Sequence, residues 1–237
     1  MNTGIGPFDI TFEDFNNDGN LDIATANIDA STTSILLGNG DGTFQTATSY
    51  SAGQSPRSIG SADFNNDGNI DLVTANGDTS TISILLGNGN GTFRSPTTFA
   101  TGTNPNKIGI ADFNGDNNFD VVVSNENSST ISVLLGNGNG TFRTQTTYAT
   151  GSMPASVLVE DLNDDGNIDV ALVNLNGGTF SVLLGNADGT FQSRTSYSTG
   201  SLPISLTIAD FNNDNKLDVA VANYNASTVN IFLNICS

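Results

Sequence analysis

Short apolar segments alternate with polar, glycine-rich turns along the whole chain, and no segment has helical spacing. Residues 8–12 alternate apolar and polar side chains, which predicts a strand with one covered face. Residues 121–123 are consecutive valines, which is typical of a strand covered on both faces. Residues 82–86 predict a third strand, and the glycines of residues 87–91 favour a tight hairpin. A Thr-rich fourth strand is then predicted over residues 92–99.

This pattern repeats every 49 residues, without insertion or deletion. The repeated aspartates are Asp14, Asp63, Asp112, Asp161 and Asp210, and the repeated prolines are Pro7, Pro56, Pro105, Pro154 and Pro203. The repeated glycines are Gly38, Gly87, Gly136 and Gly185, and the repeated phenylalanines are Phe44, Phe93, Phe142 and Phe191. Five units therefore fill a single domain over approximately residues 7–55, 56–104, 105–153, 154–202 and 203–237.

Four antiparallel strands in a unit of this length are typical of a β-propeller blade. We predict an all-β fold, a β-propeller with five blades of four antiparallel strands. The fifth unit stops before its fourth strand, so the last blade is expected to have three strands. The six residues before Pro7 are too few to replace that strand. A five-bladed ring is favoured; the alternatives are five units of a larger propeller, or a ring completed by another chain or by sequence outside these 237 residues.

An acidic nine-residue loop follows the first strand of every unit, as in residues 14–22 (Asp-Phe-Asn-Asn-Asp-Gly-Asn-Leu-Asp). Oxygen-bearing side chains occupy positions 1, 3, 5 and 9, and Gly or Asn makes the turn at position 6. Calcium needs six to eight oxygen ligands, which alternate residues of one loop can supply. Magnesium fits less well, because it tends to keep its waters.

We predict about five Ca2+ ions, one for each repeat. The predicted side-chain ligands are Asp14, Asn16, Asp18, Asp22, Asp63, Asn65, Asp67, Asp71, Asp112, Asn114, Asp116, Asp120, Asp161, Asn163, Asp165, Asp169, Asp210, Asn212, Asp214 and Asp218. The residues predicted to bind through the backbone carbonyl at position 7 are Asn20, Asn69, Asn118, Asn167 and Lys216. The alternative is a set of ordinary turns, which Asn and Asp form without metal. Three carboxylates in each loop favour calcium, because a turn requires only one.

Composition narrows the function further. The chain of 237 residues has 24 acidic and six basic residues, a formal charge of −18, no histidine and one cysteine. Fifteen of the acidic residues lie at positions 1, 5 and 9 of the loops, so five divalent ions would bring the charge to −8. A surface this poor in Lys and Arg excludes nucleic-acid binding through phosphates. No apolar run reaches the ~18 residues of a membrane helix, and Cys236 is expected to be an unpaired thiol.

The loops, the apolar strand of residues 21–27 and the Leu-Leu-Gly-Asn-Gly-Asp-Gly-Thr-Phe segment of residues 36–44 together resemble the FG-GAP/VCBS-type repeat. The resemblance covers all five units. It implies an integrin-α-like propeller that binds calcium in the loops between the first and second strands of each blade. The chain departs from the repeat at Asn117 and Asn215, which replace Gly, and its five units contrast with the seven blades of integrin propellers. Some similar fungal propellers are lectins.

We expect a non-catalytic protein, because an active site is normally unique and these carboxylate groups occur five times. The favoured function is a calcium-stabilised extracellular binding or adhesion module that recognises a protein or glycan multivalently. The alternative is a structural scaffold, or part of a larger surface protein, without lectin activity. Oligomerisation through the incomplete fifth blade is another expectation; nucleic acid and membrane insertion are not expected.

Two further expectations concern location and the aromatic residues of the fourth strands. An extracellular or cell-surface location is inferred from calcium, since loose sites suit millimolar concentrations, and no signal peptide precedes Pro7. Tyr50, Phe99, Tyr148 and Tyr197 recur on the predicted fourth strands. Packing between blades is the favoured role for these rings, and stacking on sugars is the alternative.

Overall fold

The computed structural model describes residues 2–234, which form five antiparallel sheets that follow one another along the chain. The first four sheets have four strands and the fifth has three, which confirms the predicted five-bladed all-β propeller. Within every sheet the strands are ordered as in the sequence. Residues 2–234 contain no helix, and therefore none that is long and apolar enough to cross a membrane. Cys236, the predicted unpaired thiol, lies outside the described residues.

The strand bounds repeat with the period of the sequence. Blade 1 contains β1 (Pro7–Glu13), β2 (Asp22–Asn27), β3 (Thr32–Leu36) and β4 (Thr48–Ser51). Blade 2 contains β5 (Pro56–Ala62), β6 (Asp71–Asn76), β7 (Thr81–Leu85) and β8 (Thr97–Ala100). Blade 3 contains β9 (Pro105–Ala111), β10 (Asp120–Asn125), β11 (Thr130–Leu134) and β12 (Thr146–Ala149). Blade 4 contains β13 (Pro154–Glu160), β14 (Asp169–Asn174), β15 (Thr179–Leu183) and β16 (Thr195–Ser198). Blade 5 contains β17 (Pro203–Ala209), β18 (Asp218–Asn223) and β19 (Thr228–Phe232).

The first strands of successive blades lie side by side. β1 contacts β5, β5 contacts β9, β9 contacts β13, and β13 contacts β17. The first strands therefore form the inner wall where the blades converge, as in a propeller. The second strands are the most buried, and β6, β10 and β14 are buried at every residue. This burial explains their nearly continuous apolar sequence.

The fourth strand is shorter than the sequence pattern predicts. The strand predicted over residues 92–99 begins only at Thr97, in β8. Residues 87–93 instead form a hairpin closed by an isolated bridge between Gly87 and Phe93. Gly89 and Gly91 have positive φ values of 69° and 76°, which glycine adopts readily. The prediction of a strand from residue 92 is therefore wrong, because Phe93 ends the hairpin and packs on the preceding blade.

Four apolar clusters between successive blades form the core. The hairpin phenylalanine of the following blade enters three of them. Phe93 of blade 2 contacts Phe15 and Tyr50 of blade 1 edge to face, with ring centroids 5.7 and 5.6 Å apart. Phe142 and Phe191 make the equivalent contacts with blades 2 and 3. The fourth-strand rings at these three boundaries thus pack between blades, the favoured role.

The outer faces of the first and last blades are more exposed than equivalent faces inside the chain. Ile10 on β1 is 59% exposed, whereas Ile59 at the same position of blade 2 is 6% exposed. Val229 on β19 is 63% exposed, whereas Ile131 at the same position of blade 3 is fully buried. Each exposed face corresponds to one that a neighbouring blade covers elsewhere in the molecule.

Candidate functional site

The five acidic loops connect the first and second strands of each blade and lie at the same end of the fold. The hairpins between the third and fourth strands lie at that end too, because alternate turns of an antiparallel sheet share an edge. Position 6 of every loop has a positive φ, including Asn117 and Asn215 at 64°, so Asn preserves the turn that Gly makes elsewhere. Position 4 is also left-handed, as at Asn17 with a φ of 58°. The sequence pattern did not indicate this second turn.

Positions 1, 3 and 5 form one hydrogen-bonded turn. In the first loop, Asp14 accepts the N–H groups of Asp18 and Gly19 at 3.1 and 2.7 Å. The Asn16 side-chain amide donates to Asp18 Oδ2 at 2.9 Å, and the Asn20 N–H donates to Asp18 Oδ1 at 2.8 Å. The other four loops repeat these contacts. Three of the five predicted ligand residues of each loop, two carboxylates and one amide, are therefore already gathered around one turn.

The aspartate at position 9 has a different environment. Asp22 is fully buried, and its two carboxylate oxygens accept the N–H groups of Phe15 at 2.9 Å and Gly38 at 2.7 Å. All five loops have this pair of contacts; in the fifth the second donor is the Asn234 N–H. Position 9 thus fastens the acidic loop to the neighbouring hairpin. Spacing alone did not indicate this role.

Burial and neighbouring charges act on the position-9 carboxylates. Burial raises the pKa of Asp71 to about 6, the N–H groups of Gly87 and Phe64 oppose the increase, and the charges of Asp63 and Asp67 add to it. The pKa of Asp120 is likewise raised to about 6, and burial is the largest cause. By contrast, the N–H of Asn20 and the amide of Asn16 lower the pKa of the exposed Asp18. The three carboxylates of a loop are therefore close enough to repel one another.

Neighbouring loops are joined laterally. The Asn17 side-chain amide donates to Asn69 Oδ1 at 3.2 Å and to the Gly89 carbonyl at 3.4 Å. Asn66 makes the same two contacts with Asn118 and Gly138. The position-7 side chains, predicted to bind only through their backbone carbonyls, also pack on hairpin glycines: a Cβ added to Gly89 would lie 2.0 Å from Asn69 Oδ1. The loops and hairpins of blades 1 to 3 therefore form a continuous acidic rim.

The carboxylate and amide oxygens of the loops are suitable ligands for a hard cation. A carboxylate oxygen that accepts one N–H retains a second lone pair, so Asp14, Asn16 and Asp18 still present acceptors. Among residues 2–234, however, no three His, Cys, Asp or Glu side chains form a group ready to hold a metal ion. The role of position 9 as a calcium ligand stays a prediction; its carboxylate is buried, whereas those of positions 1 and 5 are exposed or half-exposed.

A second set of recurring polar residues escaped the sequence analysis. Asn76, at the opposite end of β6, is fully buried and donates to Thr81 Oγ1 at 3.1 Å and Ser83 Oγ at 2.8 Å. Its oxygen accepts the Gly53 N–H at 3.1 Å. Equivalent asparagines end the other second strands at the 49-residue interval: Asn27, Asn125, Asn174 and Asn223. Their recurrence at this interval is the sequence signal that could have identified these asparagines.

Five repeated antiparallel blades, with an acidic loop between the first two strands of each, define a β-propeller repeat protein. The chain belongs to the FG-GAP-like repeat family, whose model matches residues 14–74, 63–123, 112–172 and 161–221. No curated protein matches the sequence.

Similar solved structures share the fold at low sequence identity. BBS1N, in a complex with ARL6DN, is 19% identical, with a TM-score of 0.70 over 99% of this chain and 68% of its own. An Agrocybe aegerita lectin that recognises non-reducing terminal N-acetylglucosamine is 20% identical, with a TM-score of 0.59 over 96% and 66%. Virginiamycin B lyase from Staphylococcus aureus is 16% identical, with a TM-score of 0.60 over 98% and 71%. The chain thus spans about two thirds of the length of these structures.

Proposed function

We propose that the protein is a calcium-stabilised, non-catalytic binding module that acts outside the cell or at its surface, and recognises a protein or glycan. The observation that carries the proposal is the repetition of one loop geometry five times at one end of the fold. Each loop gathers two exposed or half-exposed carboxylates and an amide around one turn, beside a third, buried carboxylate.

Charge balance supports a cation in these loops. Three ion pairs join side chains within residues 2–234, and one of them involves a loop carboxylate: Arg143 and Asp116, 3.9 Å apart. The other two join Arg57 to Glu126 and Lys107 to Asp9. The chain's own cations therefore offset little of the loop charge, and a divalent ion in each loop would relieve the repulsion.

The repetition also supports binding rather than catalysis. Five equivalent loops and hairpins create a surface suited to multivalent recognition, whereas a catalytic centre is normally a single arrangement. The solved relatives include a protein complex, a lectin and a lyase, so the fold by itself does not decide the function. A purely structural scaffold is the second candidate, supported by the hydrogen bonds that already close each loop without a ligand.

Calcium removal is the first test. With calcium at roughly 10 to 100 times the dissociation constant, each site would contribute about 1.4–2.7 kcal/mol. We expect thermal unfolding of the metal-free protein to shift upward by more than about 10 °C when calcium is added. An identical melting curve with chelator and with calcium would contradict calcium stabilisation.

A single-loop substitution sharpens the test. Asp18→Asn removes a charge at position 5 and should reduce the calcium-induced shift by about one site in five. Asp41→Asn is the matched control: Asp41 lies in the adjacent hairpin, and the equivalent Asn90 makes the same two contacts with its following threonine. The control should leave the shift unchanged.

Binding and scaffold functions are separated by a glycan array probed in calcium. Reproducible binding to one sugar class, lost in Asp18→Asn or in chelator, would support glycan recognition. If the array is silent and the protein is monomeric on size exclusion, the scaffold function is favoured.

A further inference from the structure

The acidic loops of blades 1 to 4, numbered here by their blades, lie beside hairpins that carry different charges. Loops 1 and 2 have the same residue at every predicted ligand position and differ only at the apolar position 8. The residue that follows the hairpin phenylalanine is not the same in each blade: Gln45, Arg94, Arg143 and Gln192 in blades 1 to 4. Two blades therefore have a neutral side chain at this position, and two have a permanently charged one.

All four hairpins place this residue in the same way. Its N–H donates at 2.8 Å to the carbonyl of the leucine that follows the third strand: Leu37, Leu86, Leu135 or Leu184. The first glycine of each hairpin donates its N–H to the position-9 aspartate of the same blade. The side chain that follows the phenylalanine therefore begins beside the acidic loop of its own blade.

Arg143 approaches the position-5 carboxylate of loop 3. Its Nη2 atom lies 3.9 Å from Asp116 Oδ2. The same oxygen accepts the Asn114 side-chain amide at 3.0 Å. The arginine thus lies at the oxygen that closes the turn between positions 3 and 5, where the predicted calcium ligands come together.

Arg94 acts on the equivalent carboxylate of loop 2, Asp67. Its Nε atom donates to Asn88 Oδ1 at 3.3 Å, a contact within the hairpin. Burial raises the pKa of Asp67, but hydrogen bonds and the charge of Arg94 together lower it below its ordinary value. The charge of Arg143 contributes to a lowered pKa of Asp116 in the same way. Geometry and charge therefore pair each arginine with the loop of its own blade.

We propose that the calcium loops form two affinity classes, and that Arg94 and Arg143 define the weaker class. Each arginine is an internal counter-ion of its position-5 carboxylate in the metal-free protein, and it opposes the entry of a divalent cation. Loops 2 and 3 therefore take up and release calcium over a concentration range in which loops 1 and 4 are already filled. The inference rests on the calcium binding proposed above, and it gives the two arginines a regulatory role in that binding.

Two electrostatic effects act in the same direction. The guanidinium charge repels a cation in the adjacent loop, and the metal competes with the arginine for the position-5 carboxylate. Both charges lie at the surface, so water and salt weaken these effects. We expect the calcium dissociation constant of loop 2 to be about three to ten times that of loop 1, whose ligand residues are identical.

A calcium titration followed by amide NMR spectra of isotope-labelled protein measures each loop separately. The position-6 residues report on loops 1 to 4, because their N–H groups donate to the position-1 aspartates: Gly19, Gly68, Asn117 and Gly166. We expect the signals of loops 1 and 4 to reach their midpoints at lower calcium than those of loops 2 and 3. The strictest comparison is Gly19 with Gly68, because loop 3 also has Asn in place of Gly.

Protein variants exchange the two side chains between blades. Arg94→Gln gives blade 2 the side chain of blade 1 and should lower the loop-2 dissociation constant about threefold or more. Gln45→Arg should raise the loop-1 constant by a similar factor. Arg194→Gln removes an exposed positive charge from blade 4 and is the control, which should leave the Gly19 and Gly68 midpoints unchanged.

Salt dependence separates an electrostatic role of Arg94 from a packing role. In about 1 M salt the Debye length falls to about 3 Å, so the effect of Arg94→Gln should shrink. A role of the side chain in packing alone would give the same effect at low and high salt. Melting curves confirm that each variant folds.

The inference is overturned if Gly19 and Gly68 titrate together, or if neither exchange moves the midpoint of its own loop. Equal shifts in every loop for Arg94→Gln and Arg194→Gln would assign the effect to net charge and would also overturn it. If calcium up to about 10 mM shifts no position-6 signal, the proposed calcium binding itself fails, and this inference fails with it.

Discussion

The two ends of each second strand solve the same packing problem with different chemistry. At one end of β6, buried Asp71 accepts N–H groups from Phe64 and Gly87. At the other end, buried Asn76 donates to Thr81 and Ser83 and accepts from Gly53. Both residues fasten the adjoining turns to the strand. One is a carboxylate among other carboxylates, and the other is a neutral amide among hydroxyl groups.

The difference shows what each end requires. At Asn76 the amide end balances donors against acceptors without charge, whereas the buried side-chain oxygens of the equivalent Asn125, Asn174 and Asn223 have no hydrogen-bond partner. At the carboxylate end the two N–H groups reach two different oxygens of Asp71, and a carboxylate has two acceptor oxygens where an amide has one. That requirement explains Asp71 but not the neighbouring charges of Asp63 and Asp67, which raise the pKa of Asp71. An excess of negative charge at this end is the physical argument for a bound cation.

Introducing a charge at the neutral end should have the largest effect on the free energy of unfolding. Asn76→Asp removes the donors to Thr81 and Ser83 and buries an unpaired carboxylate. We expect the free energy of unfolding to fall by about 3–5 kcal/mol, equally with calcium and with chelator, in urea titrations. Asn127→Asp, in an exposed turn at the same end, is the control and should change stability by less than about 0.5 kcal/mol. A large calcium dependence in Asn76→Asp would contradict the contrast between the two ends.

The reverse exchange at the charged end should have a smaller effect that depends on calcium. Asp71→Asn leaves one acceptor for the N–H groups of Phe64 and Gly87, but it also removes a repelled charge. We expect a loss of about 1–3 kcal/mol in calcium and a smaller loss in chelator, again from urea midpoints. Equal losses under both conditions would assign Asp71 a fastening role alone.

The pH dependence of stability should be the smallest of these effects, and its sign should depend on calcium. The folded-state pKa of Asp71 and Asp120, about 6, lies above the ordinary aspartate value of 3.8, so between these values the folded protein binds more protons than the unfolded chain. These two groups therefore stabilise the metal-free fold at low pH, and this contribution is lost as pH rises through 6.

We expect the free energy of unfolding of metal-free protein to increase by on the order of 1–2 kcal/mol between pH 7 and pH 5, less than the full shift because solvent screens the loops. In calcium the trend should reverse, because protons compete with the metal for carboxylates. Melting temperatures measured at pH 7, 6 and 5 test both signs. Parallel trends with and without calcium would place the metal away from these loops.

Much of the fold follows from the repeat. The prolines, the valine-rich second strands and the glycine hairpins predict each strand from local spacing, and the five blades and the three-stranded last blade are confirmed. The start of the fourth strand was mispredicted because Phe93 contacts Phe15 and Tyr50, which lie far away in the sequence. In the loops, the turn at position 6 was predictable from Gly and Asn. The two donors to Asp22 were not, because the Gly38 N–H belongs to a hairpin beyond two further strands.

The sequence by itself determined the period, the strand order within a blade and the position of every carboxylate, because these depend on neighbouring residues and a fixed interval. Only the tertiary structure decided which carboxylates are buried, how Asn17 joins one loop to the next, and which rings of the preceding blade a hairpin phenylalanine contacts. These features arise between blades, where side chains 40 to 80 residues apart come together. A repeat specifies each unit, but the contacts between units depend on the geometry in which they stack.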